Sequence, residues 1–189
     1  MKKTDRREQK KMYFFENQNI GLRTLEISDV DGNYFNWFND KDVCKYNSHH
    51  RYTMTKYELE EYVRKINGSR TELVLAVELK EEKVHIGNIS LQSINYIDRS
   101  AEIAFLMGEK AYWNKGYATE AAVMLINHAF EQLGLQRIYF GTSEENAGMQ
   151  KIGKKLNFKQ EGIRRKALYK NGNFQDIYEY GLLKEEWDK

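Results

Sequence analysis

Two periodicities of hydrophobic positions divide the chain into short strands and longer helices. Apolar or alternating runs predict strands at residues 20–27, 73–79, 86–91, 100–108 and 137–142. Apolar side chains that recur every three or four residues predict helices near residues 55–66, 117–133 and 147–156. Because strands and helices alternate without a repeat or a low-complexity linker, we expect a single α/β fold.

Capping signals indicate where several helices begin and end. Ser28 follows the first strand and is expected to cap a helix over residues 29–38. Thr55 and Glu58 form a capping box, in which each side chain can bond the main chain of the other. Gly134 is expected to end the long central helix, since glycine readily adopts the left-handed conformation found there.

Two turn sequences predict antiparallel hairpins. The charged turn of residues 80–83 joins the second and third strands of the list above. Asn171-Gly172-Asn173 joins two further runs, residues 158–168 and 174–183, and Asn-Gly favours the tight turns of hairpins. The element order is therefore strand, two helices, three strands, helix, strand, helix, two strands.

One pair of strands is expected to be parallel. Strands 100–108 and 137–142 are joined by a crossover helix, which places them side by side and in the same direction. The remaining connections favour antiparallel neighbours. The sequence therefore predicts a mixed α/β sheet.

Composition limits the size and the class of the protein. With 189 residues, 41% hydrophobic, the chain suits one compact domain, which we place at residues 13–189. Residues 1–12 carry a basic run that we expect to be a disordered tail, and a nucleic-acid-binding arm is the less favoured alternative. The net charge of +2 favours neither a nucleic acid nor a membrane as partner, and no apolar run reaches the length of a membrane span. We therefore expect a cytoplasmic protein, whose only cysteine, Cys44, forms no internal disulfide.

The segment from Ala101 to Phe130 combines a strand, a glycine-containing turn and an amphipathic helix. The first N–H groups of a helix have no partner within it, and the helix dipole adds partial positive charge at that end. Residues 115–119 lie at this position. The turn is therefore predicted to bind an anion such as a phosphate.

Four motifs in this order resemble the GNAT N-acetyltransferases, and within them the RimJ/RimL-like group. They are Trp113-Asn-Lys-Gly116-Tyr-Ala118, Ala101-Glu-Ile103, Asn146 with Phe158 and Glu161-Gly162, and the closing run Tyr169-x-Asn-Gly172, Asp176-x-Tyr178 and Trp187. The first of them is similar to the acetyl-CoA signature Gln/Arg-x-x-Gly-x-Gly/Ala. Trp113 departs from that signature, although contacts made by the main chain tolerate such a change.

The resemblance implies a fold, a co-substrate and a set of binding residues. The expected fold is a mixed, mostly antiparallel sheet with splayed parallel central strands and about four flanking helices. The co-substrate is acetyl-CoA, and no metal is expected. The main chain of residues 106–108 would bond the pantetheine arm, and the signature turn would hold the phosphates. The implied cofactor-binding residues are Leu106, Met107, Gly108, Trp113, Asn114, Lys115, Gly116, Tyr117, Ala118, Thr119 and Asn146.

Glu102 is the candidate catalytic base. An amine attacks the thioester only in its neutral form, yet a lysine-like ammonium has a pKa of about 10.4 and must first lose a proton. Glu102 lies on a strand of mostly apolar residues, where desolvation raises the pKa of a carboxyl group. The alternative is that Glu102 pairs with a cation on an adjacent strand.

The group that returns a proton to the CoA thiolate is not assigned by the sequence. Relatives in the family carry a tyrosine or a serine at positions where this chain has Gly153 and Met149, and neither side chain can donate a proton. Solvent, Tyr139 or Tyr169 remain as alternatives. Asn146 at the start of its helix is expected to cap that helix or to bond the pantetheine amide.

The acceptor is expected to be a primary amine, either on a small molecule such as an amino sugar or a polyamine, or at a protein N-terminus. His49 and His50 lie where the family forms its acceptor pocket, but exposed loop positions are the favoured interpretation, and Trp37 is expected to pack in the core. The resemblance is compatible with a homodimer. The rival function is an acyl-CoA-binding protein that has lost catalysis.

Overall fold

The structure, a computed structural model, describes residues 12–188, so nearly all of the predicted basic tail lies outside the described residues. The strands are β1 (Phe15–Glu16), β2 (Ile20–Thr24), β3 (Leu73–Leu79), β4 (Val84–Asn95), β5 (Ser100–Met107), β6 (Arg137–Ser143), β7 (Lys159–Lys170) and β8 (Asn173–Leu183). The helices are α1 (Ile27–Asp31), α2 (Tyr34–Trp37), α3 (Lys56–Ile66), α4 (Tyr117–Glu131) and α5 (Ala147–Lys155).

All eight strands form one sheet in the order β1-β2-β3-β4-β5-β6-β8-β7. Neighbouring strands are antiparallel except β5 and β6, which are parallel and are connected in the sequence by the crossover helix α4. The predicted mixed sheet is confirmed. Five helices flank it within residues 12–188, where about four were expected.

The prediction of one helix over residues 29–38 is wrong. The chain forms α1 and α2 instead, separated at Gly32. Ser28 does not cap this region, since the N-cap is Glu26, whose main-chain N–H donates to Asp29 Oδ2 at 2.8 Å. The other carboxylate oxygen of Asp29 accepts from the buried Arg23 at 2.7 Å, and this ion pair places the first turn of α1 against β2.

The two predicted hairpins and the capping box are confirmed. Thr55 and Glu58 bond each other's main-chain N–H groups at the start of α3. Asn171 and Gly172 connect β7 to β8 as a two-residue turn in which both residues have positive φ, 52° and 84°. This is the conformation for which Asn-Gly is favoured in tight hairpins. Asn173, which was expected in the turn, begins β8.

The helices divide between the two faces of the sheet. On one face, α4 packs over the central strands, and Leu125, Ile126 and Phe130 are buried against it. On the other face, α1, α2 and α3 cover Val74 and Ala76 of β3 and reach the end of β5. This second hydrophobic cluster contains no residue of β6, β7 or β8. Beyond β5, that face of the sheet therefore forms a shelf on which half-exposed polar side chains lie.

Candidate active site

The two parallel strands separate along their length. The ladder between β5 and β6 consists of three pairs, and the last of them joins Glu102 to Tyr139. Beyond Glu102, β5 continues to Met107 and remains paired with β4. A gap therefore opens between the carboxyl ends of β5 and β6, as expected for splayed strands, and it begins beside Glu102.

The main-chain groups that face this gap follow from the alternation along β5. The N–H of Gly108 donates to Ile86 O of the preceding hairpin at 3.0 Å, on the β4 side. Because successive residues of a strand direct their main-chain groups to opposite sides, those of Phe105 and Met107 face the gap, and those of Leu106 and Gly108 face β4. Met107 O already accepts from Trp113 Nε1 at 2.9 Å. The sequence predicted that the main chain of residues 106–108 bonds the pantetheine arm. In the structure the main chain of Phe105 and Met107 faces the gap, whereas that of Leu106 and Gly108 does not.

The signature turn has the backbone conformation that an anion site requires. Gly116 is the N-cap of α4 with φ 95°, in the left-handed region that favours glycine. A Cβ built at this position would meet no atom within 4 Å, so the space above the turn is open. Among residues 12–188, the main-chain N–H groups of Gly116, Tyr117 and Ala118 have no hydrogen-bond partner, whereas Thr119 N–H donates to Gly116 O at 2.9 Å. The turn therefore fits a phosphate with three free donors.

Lys115 and Trp113 frame this turn. The Lys115 ammonium lies 4.9 Å from the centre of the Tyr112 ring and remains exposed. The Trp113 indole is 37% exposed and fixes the loop to the end of β5 through its bond to Met107. Asn114 has a positive φ of 62°, which reverses the chain between these two side chains. Trp113 therefore holds the loop, in place of the Gln or Arg of the family signature.

Glu102 is half-buried and lies on the shelf side of β5. Its carboxylate has no hydrogen bond or salt bridge within residues 12–188, so the alternative of a direct ion pair is not observed there. Arg164 of β7, the cation whose charge acts on Glu102, instead pairs with Glu179 of β8. Burial raises the pKa of Glu102, the Glu179 carboxylate raises it further, and Arg164 opposes both effects. Glu102 therefore has the environment of a general base.

Tyr139 is the tyrosine that lies beside Glu102. It is the partner of Glu102 in the ladder, and burial, followed by the Glu102 charge, raises the pKa of its phenol. Tyr169 lies on the β7–β8 hairpin, 55% exposed, with its ring 4.9 Å from that of Phe174. A Cβ at Gly153 would lie 2.7 Å from Cζ of Phe140, which leaves no space for the tyrosine found in relatives.

Asn146 is the N-cap of α5, which confirms the capping role that was one of the two predicted for it. Its Oδ1 accepts from Met149 N at 3.1 Å. The residue lies just beyond the carboxyl end of β6, on the edge of the gap. The same side chain retains an amide group that can bond a ligand in the gap.

Residues 38–53, which we call the bridge segment, cross the carboxyl edge of the sheet. At one end Asp40 and Asp42 pair with Lys110 at 2.8 and 3.1 Å. Lys110 belongs to the loop of residues 108–116 that connects β5 to α4, which we call the signature loop. At the other end Lys170, beside the hairpin turn, donates to Asn47 O at 3.1 Å and His49 O at 2.8 Å. The bridge segment therefore joins the signature loop to the β7–β8 hairpin and borders the shelf along the carboxyl edge of the sheet.

Lys170 was not identified in the sequence, and no local pattern could have found it. It is 8% exposed, its bonded partners are 121 and 123 residues away, and burial lowers the pKa of its ammonium. His49, on the bridge segment, is exposed, as expected for a loop residue, although its ring centre lies 4.8 Å from that of Phe38 and partial desolvation lowers the pKa of its imidazole. His50 is exposed, as expected for a loop residue.

Neither a metal site nor a membrane span is found in the described part of the chain. Within residues 12–188 there is no group of three or more His, Cys, Asp or Glu side chains that could hold a metal ion. No helix in the same range is long and apolar enough to cross a membrane. Cys44 is fully buried, and its thiol donates to Trp37 O at 3.1 Å.

Comparisons with known proteins agree with this geometry. Residues 19–159 match the family model described as an acetyltransferase (GNAT) domain. The uncharacterized N-acetyltransferase p20 of Bacillus licheniformis is 30% identical over 173 residues, which cover 90% of this chain and 96% of the relative. The spermidine N(1)-acetyltransferase of Vibrio cholerae is 28% identical over 171 residues, covering 90% and 96%. The crystal structure of the spermidine N-acetyltransferase from Vibrio cholerae in complex with CoA and spermine has a TM-score of 0.82 and 28% identity, over 90% of this chain and 98% of that one.

Proposed function

Since the chain belongs to the GNAT acetyltransferases and is an acetyl-CoA-dependent N-acetyltransferase, we propose that it transfers the acetyl group directly to a primary amine with Glu102 as the base. The observation that carries this proposal is the end of the parallel ladder at Glu102 and Tyr139. There, at the closed end of the gap between the two strands, lies a carboxylate that has no hydrogen-bond or ion-pair partner among residues 12–188. The gap opens toward the signature turn.

The donor is assigned to the gap and the turn together. The pyrophosphate would bind the free N–H groups of Gly116, Tyr117 and Ala118, with the ammonium of Lys115 nearby. The pantetheine arm would bond the main chain of Phe105 and Met107. One amide of the arm would bond the side chain of Asn146 at the edge of the gap. This arrangement extends the acetyl group toward Glu102.

The reaction needs one proton removed before attack and one after it. Glu102, directly or through a water molecule, takes a proton from the acceptor ammonium, and the neutral amine attacks the thioester carbonyl. The C–N bond forms and the C–S bond breaks, so that CoA leaves as a thiolate. The nitrogen loses its second proton, and the thiolate gains one. An acceptor ammonium and acetyl-CoA thus give an amide, CoA thiol and one released proton.

Tyr139 is the proposed source of the proton for the thiolate. It pairs with Glu102 in the ladder, whereas Tyr169 lies toward the exposed end of the hairpin. A phenol is protonated at neutral pH and therefore has a proton to give, although burial raises the pKa of Tyr139 and makes it a weaker acid. Solvent is the alternative donor, since a thiol pKa of about 8.5 makes the thiolate a good leaving group without protein assistance.

We assign the protein to the RimJ/RimL-like group, and the proposed acceptor is a small molecule with a primary amine. Glu102 and Glu179 place two carboxylates on the shelf, which favours an approaching ammonium. The bridge segment borders the shelf from the signature loop to the hairpin, which favours a small acceptor over a folded protein N-terminus. A relative with 28% identity acts on spermidine, and the proposal therefore includes polyamines as well as amino sugars.

Release of CoA thiol over a panel of amines tests the proposal. The panel would contain spermidine, glucosamine and a short peptide with a free N-terminus, each with acetyl-CoA at saturation. We expect turnover with a small amine and loss of turnover in Glu102→Gln with CoA affinity retained. CoA binding by the wild type without thiol release for any acceptor class would instead support the acyl-CoA-binding protein without catalysis.

A further inference from the structure

The signature loop leaves β5 in direct contact with α2. A Cβ built at Gly108 would lie 1.8 Å from Cδ2 of Trp37, so the indole ring lies directly against the main chain of the loop. Two residues later, Lys110 pairs with Asp40, which follows α2. The intervening residue, Glu109, also binds α2. Three consecutive residues of the loop are therefore held by one short helix and the residues that flank it.

Glu109 makes the most specific of these contacts. Its Oε1 accepts from Trp37 Nε1 at 2.9 Å and from Asn33 Nδ2 at 2.8 Å. Hydrogen bonds to a carboxylate are stronger than bonds between neutral groups. Asn33 precedes α2 and Trp37 is its last residue, so both ends of the helix bind the same carboxylate oxygen.

Trp37 has little freedom to move independently of its surroundings. Its side chain is 3% exposed, and its ring centre lies 4.8 Å from that of His85 and 5.5 Å from that of Tyr34. His85 Nδ1 is 3.5 Å from the carboxylate of Asp29, which is itself held by Arg23. A displacement of the loop at residues 108–110 is therefore transmitted to α2, because a close-packed ring cannot absorb it.

The bridge segment continues directly from α2 toward the acceptor side. It begins one residue after Trp37 and carries Asp40 and Asp42 at one end and the loop held by Lys170 at the other. The loop that would bind the donor is thus in contact with this segment directly, through Lys110 with Asp40 and Asp42, and with the helix that precedes it through Trp37.

We propose that Trp37 is a positioning residue that couples the two sites, so that acetyl-CoA binding further stabilises residues 38–53 in the position seen here. The inference rests on the proposed donor site at residues 113–119. Coupling between two sites is reciprocal: if CoA stabilises the ordered bridge segment, a well-held bridge segment strengthens CoA binding. Loosening the contact at Trp37 must then weaken both.

Two tryptophan variants test the coupling with CoA as the probe. Trp37→Phe keeps an aromatic ring but removes the N–H that binds Glu109. The matched control, Trp187→Phe, removes an equivalent N–H bond, which joins Trp187 to Asn127 at 2.6 Å far from the loop. Calorimetric titration with CoA is expected to give about fivefold or greater weakening in Trp37→Phe, at the low end of typical coupling factors, and no change in Trp187→Phe.

Hydrogen exchange separates positioning from a general loss of structure. At saturating CoA, amides of residues 38–53 should be protected in the wild type and in Trp187→Phe, but not in Trp37→Phe. Glu109→Ala, which keeps the buried core intact, should reproduce the loss. Equal CoA affinity and equal protection in Trp37→Phe and wild type would overturn the coupling, as would an equal loss in Trp187→Phe. Failure of the wild type to bind CoA would instead reject the donor site itself.

Discussion

Glu102 and Tyr139 form the last pair of the parallel ladder, and the strands that carry them separate immediately beyond. The carboxylate and the phenol therefore lie at the closed end of the gap, where main-chain pairing still fixes their positions. Burial raises the pKa of both groups. A carboxylate that accepts a proton more readily than an exposed one and a phenol that is protonated at neutral pH are thus held side by side on two strands of one sheet.

Replacement of Glu102 is expected to remove base catalysis and leave the fold intact. Glu102→Gln preserves the size of the side chain but cannot accept a proton, and the loss of general-base catalysis typically lowers kcat about 10²- to 10⁴-fold. Steady-state thiol release would measure kcat, and calorimetry would show unchanged CoA affinity. Glu60→Gln on the outer surface of α3 is the control. Full kcat in Glu102→Gln across the pH range would reject Glu102 as the base.

Burial is the main cause of the raised pKa of Glu102, and the ion pair between Arg164 and Glu179 is expected to adjust the pH at which the enzyme becomes active. Glu179 raises the pKa of Glu102 and Arg164 lowers it. Glu179→Gln should therefore lower the pKa of Glu102 and shift the acid limb of kcat/KM to lower pH. Arg164→Met should shift that limb to higher pH. Movement of both variants in the same direction would contradict this electrostatic account.

Several local features of the fold could be predicted because the signal is carried by neighbouring residues. The capping box at Thr55 and Glu58 and the Asn171-Gly172 turn depend on contacts within a few residues, and both are confirmed. The helix over residues 29–38 was predicted from Ser28 by the same reasoning and was wrong. There the first turn of α1 is held from outside the helix, because Arg23 of β2 binds Asp29 and also Glu78 of β3, 55 residues away.

In the candidate site, too, the features that could be predicted are those that depend on neighbouring residues in the sequence. The turn at Gly116 could be found because a glycine before an amphipathic helix is a local pattern. Lys170 and the contact of Trp37 with Glu109 depend on residues far apart in the chain, 72 residues in the second case. The ionic surroundings of Glu102 also come from β7 and β8, so its pKa could be predicted only in direction.

Two glycines with positive φ provide a test of the phosphate site. Gly116 and Gly172 have φ of 95° and 84°, and neither would bring a Cβ within 4 Å of another atom. Alanine at either position should destabilise the fold by roughly 1–2 kcal/mol, the cost of a left-handed conformation for an L-residue. Only Gly116→Ala should also raise KM for acetyl-CoA, by about tenfold if about 1.4 kcal/mol of phosphate contact is lost. Equal effects of both variants on KM would contradict the cradle.

Arg23 is expected to be essential for stability because two buried carboxylates depend on it. Its guanidinium is 3% exposed and bonds Asp29 and Glu78, whose side chains are 7% and 0% exposed. Arg23→Met would remove the guanidinium that both carboxylates bond, at a cost of about 3–5 kcal/mol in the free energy of unfolding. Denaturant titration would measure the loss, and Arg64→Met, which breaks exposed pairs on α3, should cost under about 1 kcal/mol.

The same variant makes a prediction about acid stability. Arg23 holds the pKa of Asp29 well below its ordinary value of 3.8. A lowered pKa stabilises the folded state above the ordinary value, and this contribution is lost as the pH falls from there toward the lowered one. The difference in stability between wild type and Arg23→Met should therefore be constant near neutral pH and become smaller below about pH 4. A difference that grows on acidification would contradict the ion pair as its source.

Lys170 is expected to hold the acceptor side of the site closed. Its ammonium donates to Asn47 O and His49 O, so Lys170→Met would leave two carbonyl groups without this donor and loosen the bridge segment, which Arg51 still joins to the β7–β8 hairpin through Tyr169 O. Amides of residues 47–51 should then exchange faster, and KM for an accepted amine should rise more than KM for acetyl-CoA, which the coupling through Trp37 raises to a smaller extent. Lys166→Met, an exposed lysine on the same hairpin, should change neither quantity. Because the Trp37 contact acts at the opposite end of the bridge segment, an equal rise in both KM values would show that Lys170 supports the fold as a whole instead of the acceptor side.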